Sequence, residues 1–234
     1  MIEELLPESV VAVEALRDDP LWDTPLHPEE EVLVARAVAK RRREFAAVRG
    51  CARRAMEKLG IPPRPVVSGE RGAPQWPAGI VGSMTHCDGY CAAALVRAAD
   101  LVSLGIDAEP HGPLPDGVGP SVFLPAETAR LARLAEQRPA VHWDRILFSA
   151  KESVYKAWFP LTRKWLDFSE ADITLCPSPD GAPHGTLHAE LLVPGPLVGG
   201  HRLQVLDGRW AARDALVTTT VGIPHPAGRP RAPG

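Results

Sequence analysis

Residues 148–158 read FSAKESVYKAW, three charged side chains set into an apolar pattern. Trp143, Leu147, Ala150, Val154 and Ala157 recur at alternating steps of four and three, the buried stripe of an α-helix. Arg145, Ser149, Glu152 and Lys156 recur at the same steps along a second face, with Lys151 flanking it. Spacing alone leaves two readings open. Glu152 and Lys156 can form an i,i+4 pair on a solvated helix, contributing ~0.3–0.5 kcal/mol. Alternatively, Glu152 is a metal oxygen and the two lysines face phosphate.

Upstream, residues 102–110 read VSLGIDAEP. Side chains at i and i+2 of a strand share a face, so Asp107 and Glu109 point the same way. Burying both costs several kcal/mol unless a cation compensates. Oxygen-only ligands of this kind suit Mg²⁺, which also accepts phosphate oxygens. Two solvated acids at a strand end are the competing reading.

The chain has 234 residues, 45% hydrophobic and 24% charged, enough for a substantial core. Lys plus Arg number 26 against 29 Asp plus Glu, a net charge of −3, so no global basic field holds nucleic acid. MIEELLPESV lacks the form of a secretory signal, and no run approaches the ~20 apolar residues of a membrane span. Cys51, Cys87, Cys91 and Cys176 form no CxxC pair or disulfide framework. Free thiols in a reducing cytoplasm are the expectation.

Residues 1–27 read as a helix and a proline-interrupted connection. Pro28 to Leu59 reads as one long helix, with Val34, Val38, Phe45, Val48, Ala52, Met56 and Leu59 approximating its buried stripe. Pro62 to Pro65 break the chain, RGAPQWPAG is loop, and YCAAALVR and LVSLGIDAE are strand-like. PHGPLPDGVGPS, residues 110–121, is the best internal boundary. Helices are expected from Pro125 and from about Val141 to Phe159, and strands beyond Asp172. Asp207-Gly208 is a two-residue hairpin signal, and the Pro- and Gly-rich end is expected to be disordered.

Within KRRREF and beyond, Arg42, Arg49 and Arg53 fall close to one helix face, with Arg41 beside it. Such a face suits a phosphate-rich ligand, or else is a solvated surface or a nucleic-acid patch. Thr85 and His86 precede a strand-like run. His184 and His188 lack an HExxH glutamate and carry little weight as a zinc site.

Taken in order, RGAPQWP, GSMTHC, GIDAEP and FSAKESVYKAW resemble the Sfp-type 4′-phosphopantetheinyl transferases, most nearly the branch named for enterobactin synthetase component D. The family pattern is a G-[IV]-D-x-E strand followed by a [WF]-[ST]-x-K-E-[AS]-x-x-K helix, and the likeness covers roughly residues 30–175. It implies an α+β fold of two similar α/β halves related by a pseudo-twofold, with coenzyme A (CoA) in the cleft between them. The halves would be residues 1–111 and 112–222, with 223–234 a disordered tail. It also implies Mg²⁺-dependent transfer of the 4′-phosphopantetheine arm of CoA to a serine of an acyl or peptidyl carrier protein, releasing 3′,5′-ADP. A cytoplasmic monomer that binds neither membrane nor nucleic acid is expected.

Carried over by resemblance, Asp107, Glu109 and Glu152 match the metal acids. Lys151 and Lys156 match the lysines of the helix motif, with Lys156 placed to stabilise the leaving phosphate. Thr85 and His86 match an [ST]-H element that contacts CoA phosphate, and Arg41 and Arg49 match phosphate-binding residues. Arg71, Gly72 and Pro74 belong to the loop that cradles adenine, and Trp165 lines the pantetheine channel. Glu152 or a metal-bound water is the base. Thr85 replaces the more usual serine, Arg71 stands where many relatives carry Lys, and Ala73 where some do.

Overall fold

A computed structural model describes residues 1–226. Its elements are β1 (Val11–Leu16), α1 (Pro28–Glu31), α2 (Ala39–Lys58), β2 (Ile80–Cys87), β3 (Tyr90–Arg97), β4 (Leu101–Pro110), α3 (Gly119–Val122), α4 (Pro125–Gln137), α5 (Trp143–Thr162), β5 (Ala171–Pro177), β6 (His184–Leu191), β7 (Leu197–Val198), β8 (His201–Arg202), β9 (Val205–Arg213) and β10 (Leu216–Pro224). The mixture of helix and antiparallel sheet is the α+β class expected. Three strands form a sheet ordered β1-β3-β2, and five form another ordered β4-β10-β9-β6-β5.

The apolar residues arrange these parts in layers. Cys91, Ala93 and Leu95 on one face of β3 pack with Ala47, Cys51, Ala55 and Met56 of α2. Ala92, Ala94 and Val96 on its other face pack with Leu104, Ile106 and Ala108 of β4. The remaining core lies between α5 and the five-stranded sheet, where Trp143 and Trp210 meet edge to face at 5.3 Å. Small alanines on both faces of β3 let helix and sheet approach closely. The sheets are also joined by hydroxyls: Ser83 accepts the Ile106 N–H and Thr85 the Ala108 N–H, each at 3.0 Å.

Because β4 alternates, Ser103, Gly105 and Asp107 face α5 while Leu104, Ile106 and Ala108 face the other sheet. A Cβ on Gly105 would lie 2.0 Å from the Ser153 carbonyl oxygen and 2.8 Å from the Ala157 nitrogen. Only glycine permits this backbone contact between helix and strand. The Ser103 hydroxyl donates to the Ala157 carbonyl at 2.7 Å and extends the same seam.

Several expectations need correction. The N-terminal segment carries β1 rather than a helix, because VVAVEAL is a valine-rich apolar run with both faces packed, and it pairs with β3, Val11 opposite Leu95. Pro28–Leu59 is not one helix. α1 passes into a short 3-10 turn, and Val38, expected in the buried stripe, is extended and 73% exposed. The break lets buried Glu30 turn back to Arg53, with contacts of 3.0 and 2.8 Å, and accept the Val66 N–H at 2.8 Å. In an unbroken helix residues 30 and 53 would stand about 34 Å apart.

Asp207-Gly208 lies inside β9, and the hairpin turns instead at Asp214 and Ala215, both with positive φ. Gly208 serves close packing, since a Cβ there would meet the Thr220 carbonyl oxygen at 2.1 Å. Of the expected tail, Ile223 and Pro224 end β10, and Ile223 is buried. Residues 227–234 lie outside the described residues.

Candidate active site

β4 and α5 converge through VSLGIDAEP and FSAKESVYKAW. Lys156 Nζ donates to Asp107 Oδ1 at 2.7 Å and to the Ile106 carbonyl at 3.1 Å. Thr85 donates to the same carboxylate oxygen at 3.2 Å, and Ser149 to Oδ2 at 2.8 Å. Arg145 donates to Glu109 at 3.0 Å and anchors itself on the carbonyls of Gly112 and Pro113. The second face of α5 therefore meets the acidic face of β4 turn by turn.

Glu152 differs from these neighbours. It is half-buried, and among the described residues its carboxylate has no hydrogen-bond or ion-pair partner. Burial raises its pKa above the ordinary glutamate value, Asp107 adds to the rise, and Lys156 opposes it. Glu109 is raised for the same two reasons, against the pull of Arg145. Mutual repulsion among the acids is relieved by a bound cation, and an all-carboxylate set is the chemistry of a hard divalent ion. The donor chemistry thus fits Mg²⁺. The acids are not gathered into a ready cage: among the described residues no group of three His, Cys, Asp or Glu side chains is arranged to hold a metal, and Glu109 is turned to Arg145.

The two lysines of the helix diverge. Lys151 is buried and donates to the carbonyls of Phe168 and Ala171 at 2.7 and 2.8 Å, and it pairs with buried Glu127 at 2.9 Å. Burial holds its ammonium below the ordinary lysine pKa. One residue along a helix is a rotation of about 100°, which takes Lys151 off the face shared by Glu152 and Lys156. Its contacts tie α5 to α4 and β5. Glu127 also accepts the N–H groups of Leu124 and Ile173, both at 2.8 Å.

Thr85 and His86 point to opposite faces of β2. His86 meets Arg41 and lies 3.8 Å from Glu44. Burial lowers its imidazole pKa to about 4, with Arg41 and Lys156 adding to the effect. Arg49 is buried with its guanidinium 3.2 Å from the Phe45 ring centroid, and donates to the Val66 carbonyl and the Ser68 hydroxyl. Burial lowers its pKa to about 10. It therefore braces the base of the 68–74 loop, which closes through a Ser68–Pro74 bridge and a 2.7 Å Gly69 N–H to Ala73 carbonyl bond. Arg71 and Gly72 both have positive φ at its tip. Arg71 stands 5.4 Å over Trp165, which packs against Tyr155. Trp165, Tyr155, Lys151 and Glu152 line a cavity of about 70 Å³.

The structure thus brings together Asp107, Glu152, Lys156 and Thr85, with Glu109 alongside. It groups Arg71 with Trp165 and Arg41 with His86. Sequence reading missed Arg145 as the partner of Glu109, Glu127 as the partner of Lys151, and Thr219, which bonds Ser149. Its place in the first turn of a proline-initiated helix was the signal for Glu127, although Leu124 at the N-cap lacks a capping side chain.

A model of the 4′-phosphopantetheinyl transferase N-terminal domain matches residues 29–96, and one of the 4′-phosphopantetheinyl transferase superfamily matches residues 103–205. The chain is 58% identical over 231 residues to 4′-phosphopantetheinyl transferase Svp of Streptomyces mobaraensis, covering 97% of this chain and 91% of that protein. It is 50% identical over 225 residues to 4′-phosphopantetheinyl transferase Npt of Nocardia iowensis, covering 94% and 99%. Likeness to enterobactin synthase component D of Salmonella typhi is weaker, 32% over 119 residues, covering 51% and 49%. The chain belongs to the 4′-phosphopantetheinyl transferase superfamily. It is an enzyme of that type, a transferase that moves a 4′-phosphopantetheine arm onto a carrier protein. Among the described residues, no helix is long and apolar enough to cross a membrane.

Proposed function

We propose that the donor of the arm is CoA, that Mg²⁺ is required, and that the acceptor is a serine of an acyl or peptidyl carrier protein. The observation that carries this reading is Glu152, without a partner among the described residues, beside the Asp107–Lys156 pair. Asp107, Glu109 and Glu152 would hold the ion. When bound, it supplies charge neutralisation on the pyrophosphate.

The chain's own groups account for the rest. Glu152 takes the proton from the carrier serine hydroxyl as that oxygen attacks the phosphorus bearing pantetheine. The bond from that phosphorus to the ADP moiety breaks, and 3′,5′-ADP leaves. Lys156 places its ammonium beside the charge that develops on the leaving phosphate, where fixed positive charge contributes most. Arg41, His86 and Arg49 bind or brace the nucleotide phosphates. The 71–74 loop cradles adenine, and Trp165 with Tyr155 lines the pantetheine path. Residues 1–111 and 112–222 act as two halves around this cleft.

The protein works as a cytoplasmic monomer without nucleic acid. Supporting that last point, the basic helix is largely neutralised: Arg42 pairs with Glu31, Arg43 with Asp23, Arg53 with Glu30 and Arg54 with Glu57.

Intact-mass spectrometry of an apo acyl carrier protein and an apo peptidyl carrier domain, each incubated with enzyme, CoA and Mg²⁺, tests the reading. A gain of one phosphopantetheine that a chelator abolishes is expected. Transfer that persists in chelator would remove the metal from the reaction, and no CoA binding at all would overturn the assignment.

A further inference from the structure

Behind Asp107 lies a line of buried hydroxyls that the reaction scheme does not use. Thr219 stands directly across the strand pair from Asp107, β10 against β4, on the face covered by α5. Ser149, one turn before Ser153 on that helix, lies over both. Ser149, Ser153 and Thr219 are each fully buried.

Proton counting gives the line a direction. Ionised Asp107 can only accept, so the single hydroxyl proton of Ser149 goes to Oδ2 across 2.8 Å. In the 2.9 Å contact between Ser149 and Thr219, Thr219 must then be the donor. The same hydroxyl lies 2.9 Å from the Ser149 carbonyl, so its one proton is shared between the side-chain and main-chain oxygens of residue 149. Thr219 in turn has Ser153 Oγ at 2.7 Å, and Ser153 is also 3.1 Å from the Thr219 carbonyl. The chain runs from Ser153 through Thr219 and Ser149 to the carboxylate. Successive bonds in a low-dielectric interior polarise one another and strengthen the terminal one.

We infer that Thr219 is a positioning residue for Asp107, acting through Ser149 to fix the carboxylate oxygen that Lys156 and Thr85 leave unheld. This rests on the assignment of Asp107 to the metal set. Groups behind a metal ligand typically contribute 10–100-fold to metal affinity or activity when removed, and Thr219 occupies that place.

The test compares the parent enzyme with Thr219→Val, Thr219→Ser, Ser149→Ala and Asp107→Asn. Mn²⁺ binding is titrated by electron paramagnetic resonance with CoA present and carrier absent, and the Mg²⁺ half-saturation of transfer is read separately. Thr219→Val is isosteric but lacks the hydroxyl, and is expected to weaken both by about tenfold or more. Thr219→Ser keeps the hydroxyl and restores both. Should Thr219→Val fail to fold, Ser149→Ala cuts the same line and is expected to give the same weakening. A folded Thr219→Val or Ser149→Ala with parental Mn²⁺ binding, while Asp107→Asn loses it, would overturn the positioning role and leave the metal assignment standing. Parental Mn²⁺ binding in Asp107→Asn would overturn both.

Discussion

Lys156 Nζ stands 2.7 Å from Asp107 Oδ1, on a different element and 49 residues away in the chain. The ammonium is thus held by the carboxylate before any phosphate arrives. A charge fixed in advance needs no reorganisation when a transition state forms. Lys156→Ala is expected to lower kcat by roughly 10²–10³-fold, with a smaller loss of CoA affinity. Steady-state kinetics and calorimetry separate the two; loss of CoA affinity alone would make Lys156 a binding residue.

Glu152→Gln tests the carboxylate in two ways at once. Transfer should cease while most CoA affinity remains. Because burial and Asp107 raise its folded pKa, ionised Glu152 destabilises the metal-free protein at neutral pH, and the penalty is relieved as pH falls through the raised value. The glutamine variant should therefore melt at or above the parent temperature near pH 7.5. A lower melting temperature would show that the carboxylate has a stabilising partner.

Lys151→Met should behave unlike either change. It leaves Glu127 charged, buried and short of its cation, a loss of about 3–5 kcal/mol. Lys151→Met combined with Glu127→Gln removes both charges and should recover part of that. Urea denaturation measures each. If Lys151→Met keeps parental stability but loses CoA affinity, the lysine belongs to phosphate binding after all.

His86 gives an acid-side signature. Its pKa falls from the ordinary 6.5 to about 4 on folding, so between those values the unfolded chain binds the extra proton and stability rises with pH. This contribution is complete above 6.5 and is lost as pH drops toward 4. His86→Gln should flatten the pH–stability curve in that window. An unchanged slope would place the imidazole in an ordinary solvated setting.

Much of the site could be read from the chain because its two carriers are regular. The strand period put Asp107 and Glu109 on one face, and the helix period put Arg145, Ser149, Glu152 and Lys156 on another, opposite them. What escaped was set by partners distant in sequence. The pairing of Lys151 with Glu127, which comes beside it from α4, is not visible in FSAKESVYKAW itself. Thr219 is an unremarkable strand threonine until Ser149, 70 residues away, reaches it. The break after α1 contains no Gly or Pro, so only the Glu30–Arg53 contact reveals its purpose. Asp207-Gly208 carries the usual turn residues in mid-strand, whereas the turn itself uses Asp214 and Ala215, which advertise it poorly.

Gly105 gives this layout its mechanical character. With no side chain between β4 and α5, the gap across the site is set by backbone on backbone. There is no compressible spacer to absorb a change. A methyl group added at 105 would act as a wedge under the helix, lifting Ser149, Glu152 and Lys156 from the acids together. A position-by-position mutational scan would then rank residue 105 with the chemically active ones, although it touches no reacting atom. Conversely, drift in the outer layers can proceed while the spacing of the working groups stays fixed.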